Sequence, residues 1–211
     1  MSVFDNIDDQ KLDVLKELGN IGAGNAATSI SLMLGKTIKI TVPSAEIIPV
    51  SELWKKFTDP EEVTSGAMVE IEGEIEGEIE GALLFLLGAE ETKSLIELLM
   101  LPRPDDLTNM DELTSSAIGE IANIMCSSYI IALSNFTGIN IHSMPPKVVV
   151  DMLSAIVSEV SLIITNGGDY VILIQTDILL EELEDKVKGY LIYISDEKNT
   201  QKILESLGMK F

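Results

Sequence analysis

Two glutamate–asparagine pairs, Glu17 with Asn20 and Glu120 with Asn123, are the residues of this sequence best suited to chemistry. On a helix, a spacing of three residues places the carboxylate and the carboxamide on one face, about a turn apart. A carboxylate can pair with a lysine or act as a base, whereas an amide can hold a water by donating and accepting hydrogen bonds. The combination favours hydrolytic phosphoryl transfer, in which catalysis consists mainly of positioning the water and balancing charge.

The two pairs belong to an internal repeat, because residues 13–43 align with residues 116–146 at a constant offset of 103 and without a gap. An isolated pair of this kind would ordinarily be a solvated part of a helix surface, and it is the duplication that favours function. Each copy also has a polar residue four positions before the glutamate, Asp13 or Ser116, and ends at a proline, Pro43 or Pro146. Seven positions are identical: Glu17/Glu120, Asn20/Asn123, Ile21/Ile124, Ser31/Ser134, Gly35/Gly138, Ile38/Ile141 and Pro43/Pro146.

Each copy predicts a long helix that carries its pair. Apolar residues recur at helical spacing from about residue 11 to about 34, and the second helix ends before Gly138 as the first ends before Gly35. A glycine at that position is typical of a left-handed helix end. Candidate N-terminal caps are Asp8 and Asp9 in the first helix and Asp111 or Thr114 in the second. Small residues inside the helices, such as Gly22 and Gly24, indicate close approach of another backbone.

The rest of each half follows a similar plan. Short strands over 37–42 and 139–143 should be stopped by proline, and hairpins are expected over 66–88 and 169–194, each followed by a helix, 89–101 and 196–207. A further amphipathic helix is predicted over 148–160. We therefore predict an α+β fold of duplicated helix–strand–hairpin–helix units with pseudo-twofold symmetry, its two long helices packed on an antiparallel sheet. Residues 1–211 would form one domain made of two repeats, about 11–101 and 114–208.

The charge balance excludes two classes of partner. The 211 residues carry a formal net charge of −21, which argues against nucleic acid and anionic membrane surfaces, since both need clustered lysine and arginine. Eleven acids and no basic residue lie between Phe57 and Thr92, and the alternating glutamates from Glu70 to Glu80 predict a solvated hairpin face. The N-terminus has no signal-peptide pattern, and no apolar run approaches a bilayer span. The single cysteine, Cys126, is expected to be a buried free thiol, so we predict a cytoplasmic protein.

The repeated pattern is specific enough to resemble a known family. The stretch from Glu17 to Lys36, ELGNIGAGNAATSISLMLGK, and the spacing Asp/Ser-x3-Glu-x2-Asn-x22-Pro in both copies are similar to the CheC family of chemotaxis phosphatases, a group that includes CheX and FliY. The similarity covers essentially the whole chain. It includes EIEG at Glu74 to Gly77 and VVVDMLSAIVSE at Val148 to Glu159.

The resemblance implies hydrolysis of the aspartyl phosphate on the response regulator CheY. Asn20 and Asn123 would orient the attacking water, and Glu17 and Glu120 would pair with the regulator's lysine. Mg²⁺ would be held by the regulator, with no cofactor or metal bound by this chain.

Two motifs in one chain resemble CheC rather than the single-motif dimer CheX, so a monomer is expected, and the length leaves no room for the additional segments of FliY. The receptor deamidase CheD is an implied partner. Asp151, on the predicted 148–160 helix, is a candidate contact for it or simply an acid stabilised by the helix dipole.

Other interpretations remain open. A non-catalytic module that binds a response regulator or CheD would use the same helices. The glycines of GNIGAGNAA, from Gly19 to Ala27, lack the spacing of a nucleotide-binding loop. The acids from Asp105 to Glu112 lack the calcium-loop pattern, and His142 stands alone. The copies also differ after the motif, since Gly22-Ala23-Gly24-Asn25 is replaced by Met125-Cys126-Ser127-Ser128, so equal activity of the two sites does not follow.

Overall fold

Two helices of 26 residues each, α1 (Asp9–Leu34) and α3 (Glu112–Thr137), are the longest elements of the protein. The computed structural model describes residues 8–57, 59–74, 78–163, 170–180 and 186–209. Three shorter helices are α2 (Ala89–Leu98), α4 (Leu153–Ile163) and α5 (Glu197–Ser206). The strands are β1 (Ile38–Pro49), β2 (Val63–Glu74), β3 (Glu78–Leu87), β4 (Asn140–Ser143), β5 (Lys147–Met152), β6 (Tyr170–Leu180) and β7 (Lys186–Ile194). Short 3-10 helices span Val50–Lys56 and Leu107–Asn109.

The strands form one antiparallel sheet that interlocks the two halves of the chain. Its order is β1-β6-β7-β3-β2-β4, and β5 also pairs with β2. The hairpins β2–β3 and β6–β7 meet at the centre, where β3 pairs with β7. Each half sends its remaining strands to the hairpin of the other half, since β1 pairs with β6, and β4 and β5 pair with β2. This arrangement confirms the predicted α+β fold with pseudo-twofold symmetry.

The sheet is covered on both faces, which explains its continuous apolar strands. Side chains of β3 alternate, so that Leu83 and Phe85 pack with α1, α2, α3 and α5, while Leu84 and Leu86 pack with α4 and the first 3-10 helix. Contrary to the expectation that no apolar run approaches a bilayer span, α3 could cross a membrane by length and composition, with a mean hydropathy of 1.4 over its most apolar window. However, 61% of that window is buried in the fold. This burial is what a core helix shows.

The two long helices pack directly on each other. A Cβ atom built on Gly22 would lie 2.9 Å from Cγ and Cδ1 of Tyr129 and 3.1 Å from its Cα. Gly22 is therefore the point of close helix approach that the small residues predicted. Gly24, in contrast, is exposed, and a Cβ there would meet nothing within 4 Å.

The predicted helix ends are confirmed. Gly35 and Gly138 adopt the left-handed conformation with φ of 63° and 72°. The N-terminal caps are Asp8, whose side chain accepts from the Lys11 N–H, and Asp111, whose side chain accepts from the Thr114 N–H.

Two predicted boundaries are wrong. Pro43 does not stop β1, which continues to Pro49 with a register change between Thr41 and Ser44. A proline is tolerated there because β1 is an edge strand. The segment predicted as a helix over 148–160 is strand β5 as far as Met152, and α4 begins only at Leu153. Val148–Val150 pairs with β2, as β-branched residues favour.

In the part of the acidic hairpin whose side chains are described, the glutamates face solvent as the alternating pattern predicts. Glu70 and Glu72 are exposed, whereas Ile71 between them is 2% exposed. Residues 75–77 and the side chains of the glutamates from Glu74 to Glu80 lie outside the described part of the chain.

Candidate functional site

The first Glu–Asn pair lies on the solvent side of α1. Asp13, Glu17 and Asn20 are all exposed, while Leu15 and Leu18 on the opposite side are 2% and 6% exposed. Burial of the apolar side against the sheet thus determines which way the pair faces. The pair is accessible to a macromolecular substrate.

The amide of Asn20 has a fixed orientation. Its Oδ1 accepts a hydrogen bond from the backbone N–H of Val42 at 3.3 Å. Because a backbone N–H can only donate, the oxygen must face Val42, and the Nδ2 hydrogens point away from it. Val42 is 3% exposed and directly precedes Pro43 at the register change of β1. The strand after the helix therefore orients the amide.

The second Glu–Asn pair lies on α3, with its asparagine less exposed than in the first pair. Ser116 and Glu120 are exposed and Asn123 is half-buried. Its Oδ1 accepts a hydrogen bond from the Ser127 hydroxyl at 3.3 Å, one turn further along the same helix. The two amides are thus held by different groups. The motif alone does not predict either donor, the Val42 N–H or the Ser127 hydroxyl. The alignment of the two copies does pair Ser127 with Gly24, which is a sign that the second copy has an additional hydroxyl near its asparagine.

The other residues selected from the sequence have separate positions. Pro43 is exposed within β1, and Pro146 is half-buried in the interval between β4 and β5. Asp151 lies in strand β5 and not in the first turn of a helix, which corrects the predicted setting. Its Oδ1 accepts from the Met152 N–H at 2.7 Å, and its carbonyl accepts from the Thr64 hydroxyl at 3.2 Å. Asp151 is exposed at the sheet edge.

Candidates for other chemistry have structural roles. Asp106 and Asp111 cap helices, and hydrogen bonds from Thr108 and Thr114 lower their pKa values. Cys126 is a buried free thiol, as predicted, and burial raises its pKa to about 12. Within the described residues, no three histidine, cysteine, aspartate or glutamate side chains come together in a way that could hold a metal.

Comparison with known proteins identifies a relative over the whole chain and others over parts of it. The sequence model of the CheC-like family matches residues 11–47 and 113–150, the two regions that carry the repeated motif. The "CheY-P phosphatase CheC" of Bacillus subtilis is 28% identical over 211 residues, which cover 99% of either chain. The "flagellar motor switch phosphatase FliY" of the same organism is 26% identical over 145 residues, 68% of this chain and 36% of that protein.

Solved structures share the same architecture. FliY from Thermotoga maritima superposes with a TM-score of 0.69 at 26% identity, covering 96% of this chain and 98% of the other. The middle domain of FliM from Vibrio alginolyticus gives 0.65 at 15% identity, with coverage of 92% and 99%. At that identity the FliM likeness concerns the fold alone, and a shared fold does not specify an activity.

Proposed function

We propose that this chain is a member of the CheC-like family, whose sequence model matches both motif regions, and that it hydrolyses the aspartyl phosphate of the chemotaxis response regulator CheY. The observation that carries the proposal is the duplicated Glu–Asn pair, which is exposed on α1 and again, with a half-buried asparagine, on α3. The proposal is supported by the similarity, along the full chain, to the CheY-P phosphatase CheC of Bacillus subtilis.

The asparagine amide is the group proposed to orient the attacking water. With Oδ1 of Asn20 turned towards Val42, the Nδ2 hydrogens remain for a partner outside the helix. An amide placed into the regulator's phosphorylation site could hold the water in line with the acyl phosphate. Such positioning is a major source of rate enhancement in phosphoryl transfer, where little covalent chemistry falls to the enzyme.

The glutamate is proposed to pair with the regulator's phosphate-site lysine. Glu17 and Glu120 each lie about one turn before their asparagine, so carboxylate and amide can reach neighbouring groups on one docked protein. The Mg²⁺ that balances the phosphoryl charge would come with the regulator and its own acidic residues. This chain would supply the amide and the carboxylate, and the regulator would supply the ion.

The experiment measures phosphate loss from phosphorylated CheY in the presence of Mg²⁺. It compares the wild-type chain with Asn20→Ala, Asn123→Ala and the double variant. Loss of a positioned polar group costs roughly 10²–10³ in rate, so the double variant should lose that much, while each single variant retains the contribution of the other site.

Asn25→Ala is the matched control. Asn25 is another exposed asparagine of α1, one that lies outside the motif, and its substitution should leave the rate unchanged. If the double variant dephosphorylates CheY as fast as wild type, the assignment of the two asparagines is wrong. If the wild-type chain binds phosphorylated CheY without accelerating phosphate loss, the chain is a binding module and the enzymatic proposal fails.

We further propose that this chain binds the deamidase CheD, is a monomer and is located in the cytoplasm. For the deamidase, the exposed edge strand β5 with Asp151 is the proposed contact. Charge reversal by Asp151→Lys should abolish co-purification with CheD while leaving CheY dephosphorylation intact.

A further inference from the structure

We propose that Ser127 is a positioning residue of the second site, where it replaces a backbone donor that the second copy of the repeat has lost. The inference rests on the proposed function, because its purpose is to hold Asn123 for catalysis. It follows from comparing how the two copies hold equivalent amides.

In the first copy, the donor to Asn20 is the backbone N–H of Val42, 22 residues further along the chain. The residue 22 positions after Asn123 is Pro145. Proline has no backbone N–H. The second copy therefore has no backbone N–H at the position equivalent to Val42.

The compensating donor stands at the position where the first copy has glycine. Gly24 is four residues after Asn20 and has no side chain, whereas Ser127 is four residues after Asn123. The Ser127 hydroxyl donates to Asn123 Oδ1 at 3.3 Å, the same distance as from Val42 N to Asn20 Oδ1. The first copy thus has a backbone donor at Val42 and glycine at position 24. The second copy has proline at the position of Val42 and a hydroxyl donor at the position of Gly24.

The hydrogen bond of Ser127 differs from the bond that six other hydroxyls of the described helices make. Serine and threonine inside a helix ordinarily donate to the backbone carbonyl four residues earlier. Ser127 donates instead to the side-chain oxygen of the residue four positions earlier. The ordinary bond is made by Thr28, Ser29, Thr92, Thr137, Ser158 and Ser206.

The consequence for the second site is an amide with the same polarity as the first. A hydroxyl donor directed at Oδ1 leaves the Nδ2 hydrogens of Asn123 for the attacking water. The two donors differ in rotational freedom, because the backbone N–H of Val42 is fixed in the sheet whereas the Ser127 hydroxyl can rotate. Activity of the second site should therefore depend on one side chain that can be substituted without touching Asn123.

The test isolates the second site in the Asn20→Ala variant and adds Ser127→Ala. Loss of a neutral orienting hydrogen bond should lower kcat for CheY dephosphorylation roughly threefold to tenfold, with KM for the regulator unchanged. Ser127→Thr keeps the hydroxyl and should restore the rate. Ser29→Ala is the matched control, since Ser29 is an exposed helix serine whose hydroxyl donates to the backbone carbonyl of Asn25 at 3.1 Å, and its substitution should have no effect.

A second readout does not depend on activity. In ¹⁵N-labelled protein, the side-chain amide signal of Asn123, assigned by its loss in Asn123→Ala, should shift in Ser127→Ala and not in Ser29→Ala. An unmoved signal overturns the proposal, as does an unchanged kcat in Asn20→Ala/Ser127→Ala.

Ser127→Ala should have no effect in the Asn123→Ala variant, because the second site then has no amide to orient. If Ser127→Ala lowers the rate there as much as it does in the Asn20→Ala variant, the proposal is also overturned. If Asn20→Ala and wild type both lack phosphatase activity, the proposed function fails by itself. The amide signal then still decides whether Ser127 holds Asn123.

Discussion

The contact between α1 and α3 can be tested with two glycine substitutions that lie only two residues apart. Replacing a glycine inside a helix by alanine ordinarily stabilises it by about 1 kcal/mol. At Gly24 a new Cβ would meet nothing within 4 Å. Gly24→Ala should therefore show this gain in full.

Gly22→Ala should behave in the opposite way. Its Cβ would lie 2.9 Å from Cγ and Cδ1 of Tyr129 and 3.1 Å from its Cα. These atoms cannot move aside as a flexible chain end could, because Tyr129 is only 4% exposed. Overpacking of this kind costs about 1–3 kcal/mol, which offsets the helix gain, so the net change is a loss of roughly 0–2 kcal/mol.

The measurement is the difference in thermal midpoint between the two variants. A gap of about 1–3 kcal/mol in a chain of this size corresponds to roughly 2–12 °C, with Gly24→Ala above wild type and Gly22→Ala at or below it. In a Tyr129→Leu background the penalty at Gly22 should shrink. Equal stabilisation by both substitutions would refute the packing of Tyr129 over Gly22.

Two further predictions concern titratable groups. Burial raises the pKa of Cys126 to about 12. At pH 8 the thiol of the native protein should therefore react with a disulfide reagent far more slowly than the thiol of the urea-unfolded chain. Rapid labelling of the native protein would contradict the burial of Cys126. The pKa of Asp111 is lowered, first by the backbone N–H of Thr114 and then by its hydroxyl. The carboxylate therefore stabilises the fold above its unfolded pKa, and this contribution is lost as the pH falls through the lower folded pKa. Asp111→Asn should therefore be less stable than wild type at neutral pH and approach the stability of wild type in acid. The measurement is the urea midpoint of both proteins as a function of pH. A constant difference across that range would refute the contribution of the Asp111 carboxylate.

The sequence was informative where local chemistry determines the structure. Gly35 and Gly138 end their helices because glycine adopts positive φ at little cost, and Asp8 and Asp111 can be recognised as caps because a carboxylate satisfies N–H groups that a helix end leaves open. The location of each Glu–Asn pair, with both glutamates exposed, follows from helical spacing together with the apolar residues on the opposite side.

Sequence reasoning failed where pairing between distant segments decides. The interruption of β1 at Pro43 was predicted without knowing that β1 lies at the sheet edge, with β6 on one side. The strand over Lys147–Met152 exists because β2 pairs with it. The apolar pattern of these residues predicts a helix because it contains no information about pairing with a distant strand. Likewise, the donors to the two amides come from a strand in one copy and from a helix hydroxyl in the other.

The interlocked sheet has a consequence for how the chain is made. Among the described strands, β1 pairs with β6 alone, from Ile38 with Leu180 to Pro49 with Tyr170. During synthesis at ~5–20 residues per second, about 120 further residues must be added before that partner exists, a delay of roughly 6–24 s. Throughout this time β1 presents unpaired backbone groups, which are prone to edge-to-edge association. The pairing between the two halves therefore makes strand β1 dependent on a strand of the second half, which emerges from the ribosome later.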